Sequence, residues 1–109
     1  MPTSPFGKTS YWLIPVLLDD PLSAHRDMIM ELMASEGIQT RVTFPSLHRM
    51  PAFRDFPANR DVRFAASIEE RGLCLPNTPK TTMDSVQFVL KVLHESIKKT
   101  TALVGRGNL

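Results

Sequence analysis

Several features that would identify a function at once are absent from this 109-residue sequence. Cys74 is the only cysteine, so no disulfide can form within the chain, as is typical of proteins from a reducing cytoplasm. Its apolar neighbours Leu73 and Leu75 favour a buried structural residue over a nucleophile. The longest apolar run, residues 11–18, is far shorter than the ~20 residues that a membrane-spanning helix needs. We therefore expect a cytoplasmic protein that does not cross a membrane.

Motifs for phosphate binding, for a nucleophile elbow and for metal coordination are also missing. The net charge is only +2, and the basic residues are scattered apart from the pair Lys98 and Lys99. A nucleic-acid-binding protein would carry a basic stripe interleaved with aromatic residues. The sequence therefore predicts no nucleic-acid partner, no metal site and no catalytic residue of its own.

The length favours one domain. We expect residues 1–9 to form a flexible lead-in, residues 10–99 a single domain, and residues 100–109 a frayed tail. Within the domain, the predicted order is strand, helix, strand, loop, helix, strand, helix. This order favours an α+β fold with a small mixed sheet of about three strands and helices packed mainly on one face. The strands are expected at residues 11–18, 38–44 and 73–76, and the helices at residues 20–36, 61–71 and 82–99.

Local signals mark the ends of these elements. Asp20 is the expected N-cap of the first helix, Gly37 its C′ residue, and Thr82 the N-cap of the last helix. The nearly all-apolar first strand should be central or covered on both faces, with Pro15 at a bulge or facing an edge. The side chains expected to face or pin the core are Met28, Ile29, Leu32, Met33, Ile38, Thr40, Val42, Phe44, Phe53, Phe56, Phe64, Ala65, Ile68, Val86, Val89, Leu90, Leu93 and Ile97.

Residues 45–59 have no periodicity and contain three prolines, and a long irregular segment in a small domain is often functional. His48 follows a strand end there and could donate a hydrogen bond to a substrate oxygen near neutral pH. Arg41 lies on the polar side of the second strand, and its guanidinium suits a carboxylate or a diphosphate. The alternatives are a histidine that only packs the loop and an arginine in a weak surface ion pair. Arg41 and His48 are the predicted substrate-binding residues.

Five stretches carry a more specific signal: Ser-Tyr-Trp-Leu at residues 10–13, Arg26-Asp27, Gly-Ile-Gln-Thr-Arg at residues 37–41, Phe-Pro-Ser-Leu-His-Arg-Met-Pro-Ala-Phe at residues 44–53, and Arg-Gly-Leu-Cys-Leu-Pro at residues 71–76. In this order they resemble the C-terminal small domain of the DegT–StrS family of pyridoxal phosphate (PLP)-dependent aminotransferases. Two departures are Phe44, where the family commonly has Tyr, and Ser46, where it commonly has Pro or Tyr.

The resemblance implies an enzyme that transfers an amino group, usually from glutamate, to a 3- or 4-keto sugar carried on a nucleotide. Such enzymes supply amino sugars for polysaccharides and glycosylated antibiotics. The resemblance also implies that Arg41 and His48 lie near the substrate. PLP chemistry needs a Schiff-base lysine and an acidic partner for the pyridinium nitrogen. In this family both belong to a large domain that these residues do not match.

None of the five lysines has a suitable setting for a Schiff base. We therefore expect an isolated C-terminal domain, a fragment or truncated product, that binds no PLP and is inactive alone. A sugar nucleotide would bind only when the large domain is present. Two alternatives remain. One is a free-standing module that forms homo-oligomers through apolar surface around Trp12, Met50 and Phe53. The other is a small domain that binds an anionic ligand through Arg41 and His48.

Overall fold

The computed structural model describes residues 4–56 and 61–107. Its elements are strand β1 (Ile14–Leu17), a 3₁₀ turn (Leu22–His25), helix α1 (Arg26–Ser35), strand β2 (Arg41–Val42), two 3₁₀ turns (Leu47–Arg49 and Pro51–Phe53), helix α2 (Arg63–Arg71), strand β3 (Gly72–Leu75) and helix α3 (Met83–Gly105). The α+β class and the three strands are confirmed. Parts of the predicted lead-in, irregular segment and tail lie outside the described residues. Over the two described ranges, no helix has the length and apolarity to cross a membrane.

Strand β3 is the centre of the sheet, with the order β1-β3-β2. Both pairings are antiparallel, so the expected mixed sheet is corrected to an antiparallel one. The expectation that the first strand is central is also wrong, because β1 pairs only with β3 in the part of the chain that the structure describes. An edge strand tolerates Pro15, which has no amide hydrogen to donate to a ladder. The edge position expected for Pro15 is thus confirmed.

One face of the sheet carries the core. Leu73 of β3 lies opposite Val16 on one side and Val42 on the other. Helices α1 and α3 cover this face, and their side chains Ile29, Met33, Val92 and Leu93 are buried with Leu73. Fully burying one such side chain stabilises the fold by about 1.5–3 kcal/mol. The core is therefore a single layer of apolar side chains between the sheet and two helices.

Helix α1 ends as predicted. Gly37 has φ +81°, its amide donates to the Ala34 carbonyl at 2.9 Å, and the Ile38 amide donates to the Met33 carbonyl at 3.0 Å. These two bonds form a Schellman motif, and the buried pair Ile38 and Met33 supplies its apolar contact. The left-handed conformation at Gly37 is one that glycine adopts without steric cost.

The start of this helix was predicted wrongly, because Asp20 caps no amide. Its carboxylate accepts the Ser23 hydroxyl, while the Leu22 amide donates to the Asp19 carbonyl at 2.9 Å. The chain thus enters through the 3₁₀ turn, and α1 begins only at Arg26. The carboxylate of Asp19 pairs with Arg71, a residue 52 positions away. A partner so distant in sequence cannot be inferred from a local capping pattern.

Several apolar side chains that were expected in the core are exposed. Val42 and Phe44 of the second strand and Phe64 of α2 are all more than half exposed, whereas the polar residue Thr43 is buried. The second strand is also shorter than predicted, since only Arg41–Val42 pairs fully. Periodicity indicates which side chains share a face but not whether another element covers that face. The remaining core expectations that fail in the same way are Ala65, Val86 and Leu90, which are exposed.

Phe53 and Phe56 do not pin the irregular segment to the core. They lie against each other, with ring centroids 6.5 Å apart, and both are exposed. The segment is instead held by polar contacts to α2, which are described below.

Helix α3 begins as predicted but ends later. The Ser85 amide donates to the Thr82 hydroxyl oxygen at 3.2 Å, which confirms the N-cap. The helix continues to Gly105, so the frayed tail expected from Thr100 is corrected. Thr100 is fully buried and its hydroxyl donates to the Ser96 carbonyl at 2.9 Å. A helical threonine can satisfy its hydroxyl in this way, which is why a polar run there does not end the helix.

Helix α2 passes into β3 at Gly72 without a loop. A Cβ placed on Gly72 would lie 2.6 Å from the Ile68 carbonyl oxygen and against the side chain of Thr43. We expect Gly72→Ala to lower the free energy of unfolding by about 1–3 kcal/mol, because backbone must move to relieve the contact. Urea denaturation followed by circular dichroism measures this change.

The matched control is Gly105→Ala, at the last residue of α3, where an added Cβ meets nothing within 4 Å. This variant should stay within about 1 kcal/mol of the parent and can be slightly more stable. Equal urea midpoints for the parent and Gly72→Ala would refute the close-approach argument.

Candidate functional site

The segment that carries His48 is clamped to the end of α2. The Ser46 amide donates to Glu69 Oε2 at 3.0 Å, and Arg49 donates to Glu70 Oε1 at 2.8 Å and to Glu69 Oε2 at 3.5 Å. Two adjacent carboxylates on one helix thus hold both ends of the 3₁₀ turn Leu47–Arg49. Their role in the structure is to position the loop.

The same end of α2 is tied to the first half of the chain. Arg26 Nη1 donates to the Glu69 carbonyl at 2.6 Å. Arg71 Nη1 donates to the Leu18 carbonyl at 3.3 Å and to Asp19 Oδ1 at 2.9 Å. These guanidinium groups line an open cleft of about 560 Å³ between the 3₁₀ turn Leu22–His25, α1 and α2. Both arginines already donate to protein acceptors. The cleft is therefore a junction at which hydrogen bonds hold α2 to the first half of the chain.

Sequence reasoning missed this arrangement. Arg26 and Arg71 appeared in the stretches that resemble the aminotransferase family, but no local pattern assigned them a contact. Each bonds a carbonyl or a carboxylate more than 40 residues away. The signal available was only that Arg71 ends a predicted helix, directly before Gly72.

The two predicted substrate-binding residues lie on different elements. Arg41 is exposed on β2 and is level with Cys74, which faces Pro15 on the other side. His48 is half-buried in the 3₁₀ turn Leu47–Arg49. Among the hydrogen bonds of the described residues, none joins the two side chains, and neither lines the cleft beside Arg71. Their binding of a substrate stays a prediction.

The pKa of the Glu69 carboxyl is lowered. The main-chain amide of Ser46 is the largest cause, and the positive charge of Arg49 adds to it. Both favour the ionised carboxylate over the protonated acid. The clamp on the loop is therefore a charge-assisted contact that depends on an ionised Glu69.

Cys74 is buried, as predicted, and desolvation raises the pKa of its thiol. A raised pKa disfavours the thiolate that a nucleophile or a metal ligand would need. Within the described residues, no group of three or more histidine, cysteine or acidic side chains could hold a metal ion. Cys74 therefore acts as a packing residue of β3.

The residues described do not fit PLP. The cofactor requires a lysine aimed into a cleft, with groups that hold its phosphate and its ring nitrogen. No lysine lines the cleft beside Arg71 or the smaller cavity beside Trp12. All five lysines of the sequence are exposed: Lys8, Lys80, Lys91, Lys98 and Lys99. No step of cofactor chemistry can be assigned to these side chains.

Because the contact between Glu69 and the loop needs an ionised carboxylate, the free energy of unfolding should depend on pH. The folded-state pKa of Glu69 lies below the unfolded value of about 4.3, so the unfolded state binds more protons in the acid range between them. The stabilisation is complete above the unfolded pKa and is lost as the pH falls through the folded one. We expect Glu69→Gln to be less stable than the parent at pH 7, and the difference to shrink below about pH 5.

Urea midpoints of the parent and Glu69→Gln measured from neutral to acidic pH provide the test. Glu31→Gln, on the exposed side of α1, controls for the loss of one negative charge. A stability difference between the parent and Glu69→Gln that stays constant through the acid range would show that the carboxylate does not hold the loop.

Comparison with known proteins shows which family this chain matches. The model of the DegT/DnrJ/EryC1/StrS aminotransferase family matches residues 1–94. The chain is 30% identical over 80 residues to GDP-perosamine synthase of Vibrio cholerae, covering 73% of this chain and 22% of that protein. The match to the family thus extends over most of the chain and includes the loop with His48.

Solved structures show the same fold. The aminotransferase TlmJ from Streptoalloteichus hindustanus superposes with a TM-score of 0.73 at 22% identity, over 91% of this chain and 26% of that one. Helicobacter pylori PseC, an aminotransferase involved in the biosynthesis of pseudoaminic acid, gives a TM-score of 0.70 at 16% identity, over 80% and 24% of the two chains. The chain spans about a quarter of the length of these relatives. It belongs to the DegT/DnrJ/EryC1/StrS aminotransferase family.

Proposed function

We propose that this chain is the small domain of a PLP-dependent sugar aminotransferase and acts only together with a large domain that binds the cofactor. The whole enzyme would transfer an amino group, usually from glutamate, to a keto sugar carried on a nucleotide. The observation that carries the proposal is the family match over residues 1–94, together with a relative named for GDP-perosamine synthesis. The chain's length, about a quarter of its relatives, fits one domain of such an enzyme.

In this proposal Arg41 and His48 are the substrate-binding residues that the small domain contributes. Arg41 is exposed and has no acidic partner among the ion pairs of the described residues, so its guanidinium is free to meet an anionic group. A guanidinium fork suits the diphosphate of a sugar nucleotide. His48 is held on a turn whose two ends bond to Glu69 and Glu70. These contacts would hold the half-buried His48 in a defined position.

The chain alone is proposed to be inactive and to form no covalent PLP adduct at a defined site. Its lysines are all exposed, and none faces either cleft of the described residues. After incubation with equimolar PLP and excess free ethanolamine and reduction with borohydride, all but a small fraction of the protein should keep its unmodified mass. Intact-protein mass spectrometry measures this outcome.

Exposed lysines react weakly with PLP, so the control separates scattered from specific labelling. Each lysine is replaced in turn by arginine, and the small residual labelling should fall by similar amounts in every variant. Stoichiometric labelling that disappears with a single Lys→Arg change would contradict the proposal, because it would identify a built cofactor site.

Self-association is a second candidate, favoured by apolar side chains outside the core. Trp12 is 69% exposed, Phe44 is 68% exposed, and their ring centroids lie 6.1 Å apart. Phe53, which was expected at such a surface, is 44% exposed, and Met50 is half-buried. Exposed apolar side chains that lie together, as Trp12 and Phe44 do, are typical of interaction surfaces. A second copy of the chain could cover this one.

If the chain self-associates, light scattering should show a dimer at low micromolar concentration. The double variant Trp12→Ser, Phe44→Ser should be a monomer. The matched control, Phe88→Ser, removes an exposed aromatic side chain of α3 and should leave the dimer intact. A monodisperse monomer of the parent protein at all accessible concentrations would eliminate self-association.

A further inference from the structure

The outer edge of β2 presents main-chain groups that pair with no other strand of the described residues. Strand β2 lies at one side of the sheet and is paired there with β3. The Thr43 amide donates to the Gly72 carbonyl at 3.4 Å, so Thr43 directs its main-chain groups toward β3. In an antiparallel ladder this direction alternates, so Arg41 also faces β3 and Val42 directs its N–H and C=O away from the sheet.

These outward groups of Val42 have no main-chain partner within residues 4–56 and 61–107. The turns, loops and helix ends of those two ranges leave them unused. The Val42 side chain is 51% exposed, although Leu73, level with it on β3, is fully buried. An exposed strand edge with unpaired N–H and C=O groups is a surface on which another extended strand can pair.

The opposite edge of the sheet, along β1, is protected. The Leu18 amide donates to the Arg71 carbonyl at 3.0 Å, so Leu18 faces β3 and Pro15, three positions earlier, faces outward. Pro15 has no amide hydrogen to donate there, and edge prolines prevent pairing with other chains. No proline lies between Ile38 and Phe44, so the edge along β2 lacks this protection.

We propose that β2 of a second copy of this chain pairs with this edge, antiparallel and with Val42 opposite Val42. Each Val42 amide then donates to the other Val42 carbonyl, and the two sheets become one continuous sheet. A second copy supplies an identical edge, and two-fold symmetry makes the pairing self-complementary. The two exposed Val42 side chains also cover each other, as cross-strand apolar pairs do.

Charge supports this register. With Val42 opposite Val42, each Arg41 lies opposite Thr43, and no like charges meet. If the partner strand slid by two residues toward its start, the two Arg41 side chains would lie opposite each other, which is destabilising. The proposal rests on self-association, the second candidate function, and names its interface. It depends neither on PLP nor on a large domain.

Sedimentation velocity of the full chain and two variants tests the pairing. Val42→Pro removes the outward amide and leaves the ladder bonds of Arg41 and Thr43 in place. It should raise the Kd of the dimer at least about tenfold, because each copy loses one donor. Val42→Thr keeps the amide and a β-branched side chain, and its Kd should stay within about threefold of the parent. Circular dichroism checks that each variant is folded.

A pair of charged variants tests the register without altering the backbone. Val42→Lys and Val42→Glu each place like charges opposite each other in a homodimer, so each alone should be a monomer at low ionic strength. An equimolar mixture should form a dimer, because opposite charges then meet. Gln87→Lys, on the exposed side of α3, controls for an added charge and should leave the Kd unchanged.

Three results would overturn the proposal. They are a monomeric parent, a folded Val42→Pro variant that dimerises as tightly as the parent, and a mixture of the two charged variants that stays monomeric. If Val42→Pro does not fold, the charged pair decides. A dimer that Val42→Pro keeps and that the double variant Trp12→Ser, Phe44→Ser loses would retain self-association but exclude the strand edge as its interface.

Discussion

The corner at which α2 runs directly into β3 is the constraint on which the rest of the domain depends. Only glycine fits at position 72, because a Cβ there would lie 2.6 Å from the Ile68 carbonyl oxygen and would overlap the Thr43 side chain. Within the same corner, the residues just before Gly72 bond to three separate parts of the chain: Glu69 to Ser46, the Glu69 carbonyl to Arg26, and Arg71 to the Leu18 carbonyl. The loop of His48 and the entry to α1 are therefore placed relative to one strand.

The contacts at this corner determine where the irregular segment lies, and they contribute little to the free energy of folding. An exposed ion pair such as Arg49–Glu70 is worth about 0–1 kcal/mol. One buried side chain of the size of Ile29 or Leu73 contributes about 1.5–3 kcal/mol. The layer of apolar side chains between the sheet and helices α1 and α3 thus supplies most of the free energy of folding. The polar contacts decide where the irregular segment lies against that core.

Local sequence predicted those features whose cause is local. Gly37 and Thr82 act as helix ends through hydrogen bonds to residues within five positions, and both were placed correctly. The buried cysteine of β3 followed from its apolar neighbours. The start of α1 was wrong because Asp20 accepts the Ser23 hydroxyl instead of capping a helix amide, and its neighbour Asp19 binds Arg71, which joins residues from opposite halves of the chain. The contacts of Arg26 and Glu69 that hold the candidate site could not be predicted either, because their partners are also far away in sequence.

The exposed apolar residues are a different case. Their predicted periodicity was correct, but their predicted burial was wrong. Val42 lies level with the fully buried Leu73, as the alternation in β2 requires, yet half of its surface is exposed. Helices α1 and α3 do not extend over it, and Phe44, Leu47 and Phe64 are exposed as well. A sequence encodes side chains for every surface that is buried in the working protein, including surfaces completed by another domain or another copy. The proposed pairing with a large domain would cover a face of this kind, because exposed apolar side chains such as Val42 and Phe44 would then be buried at the contact.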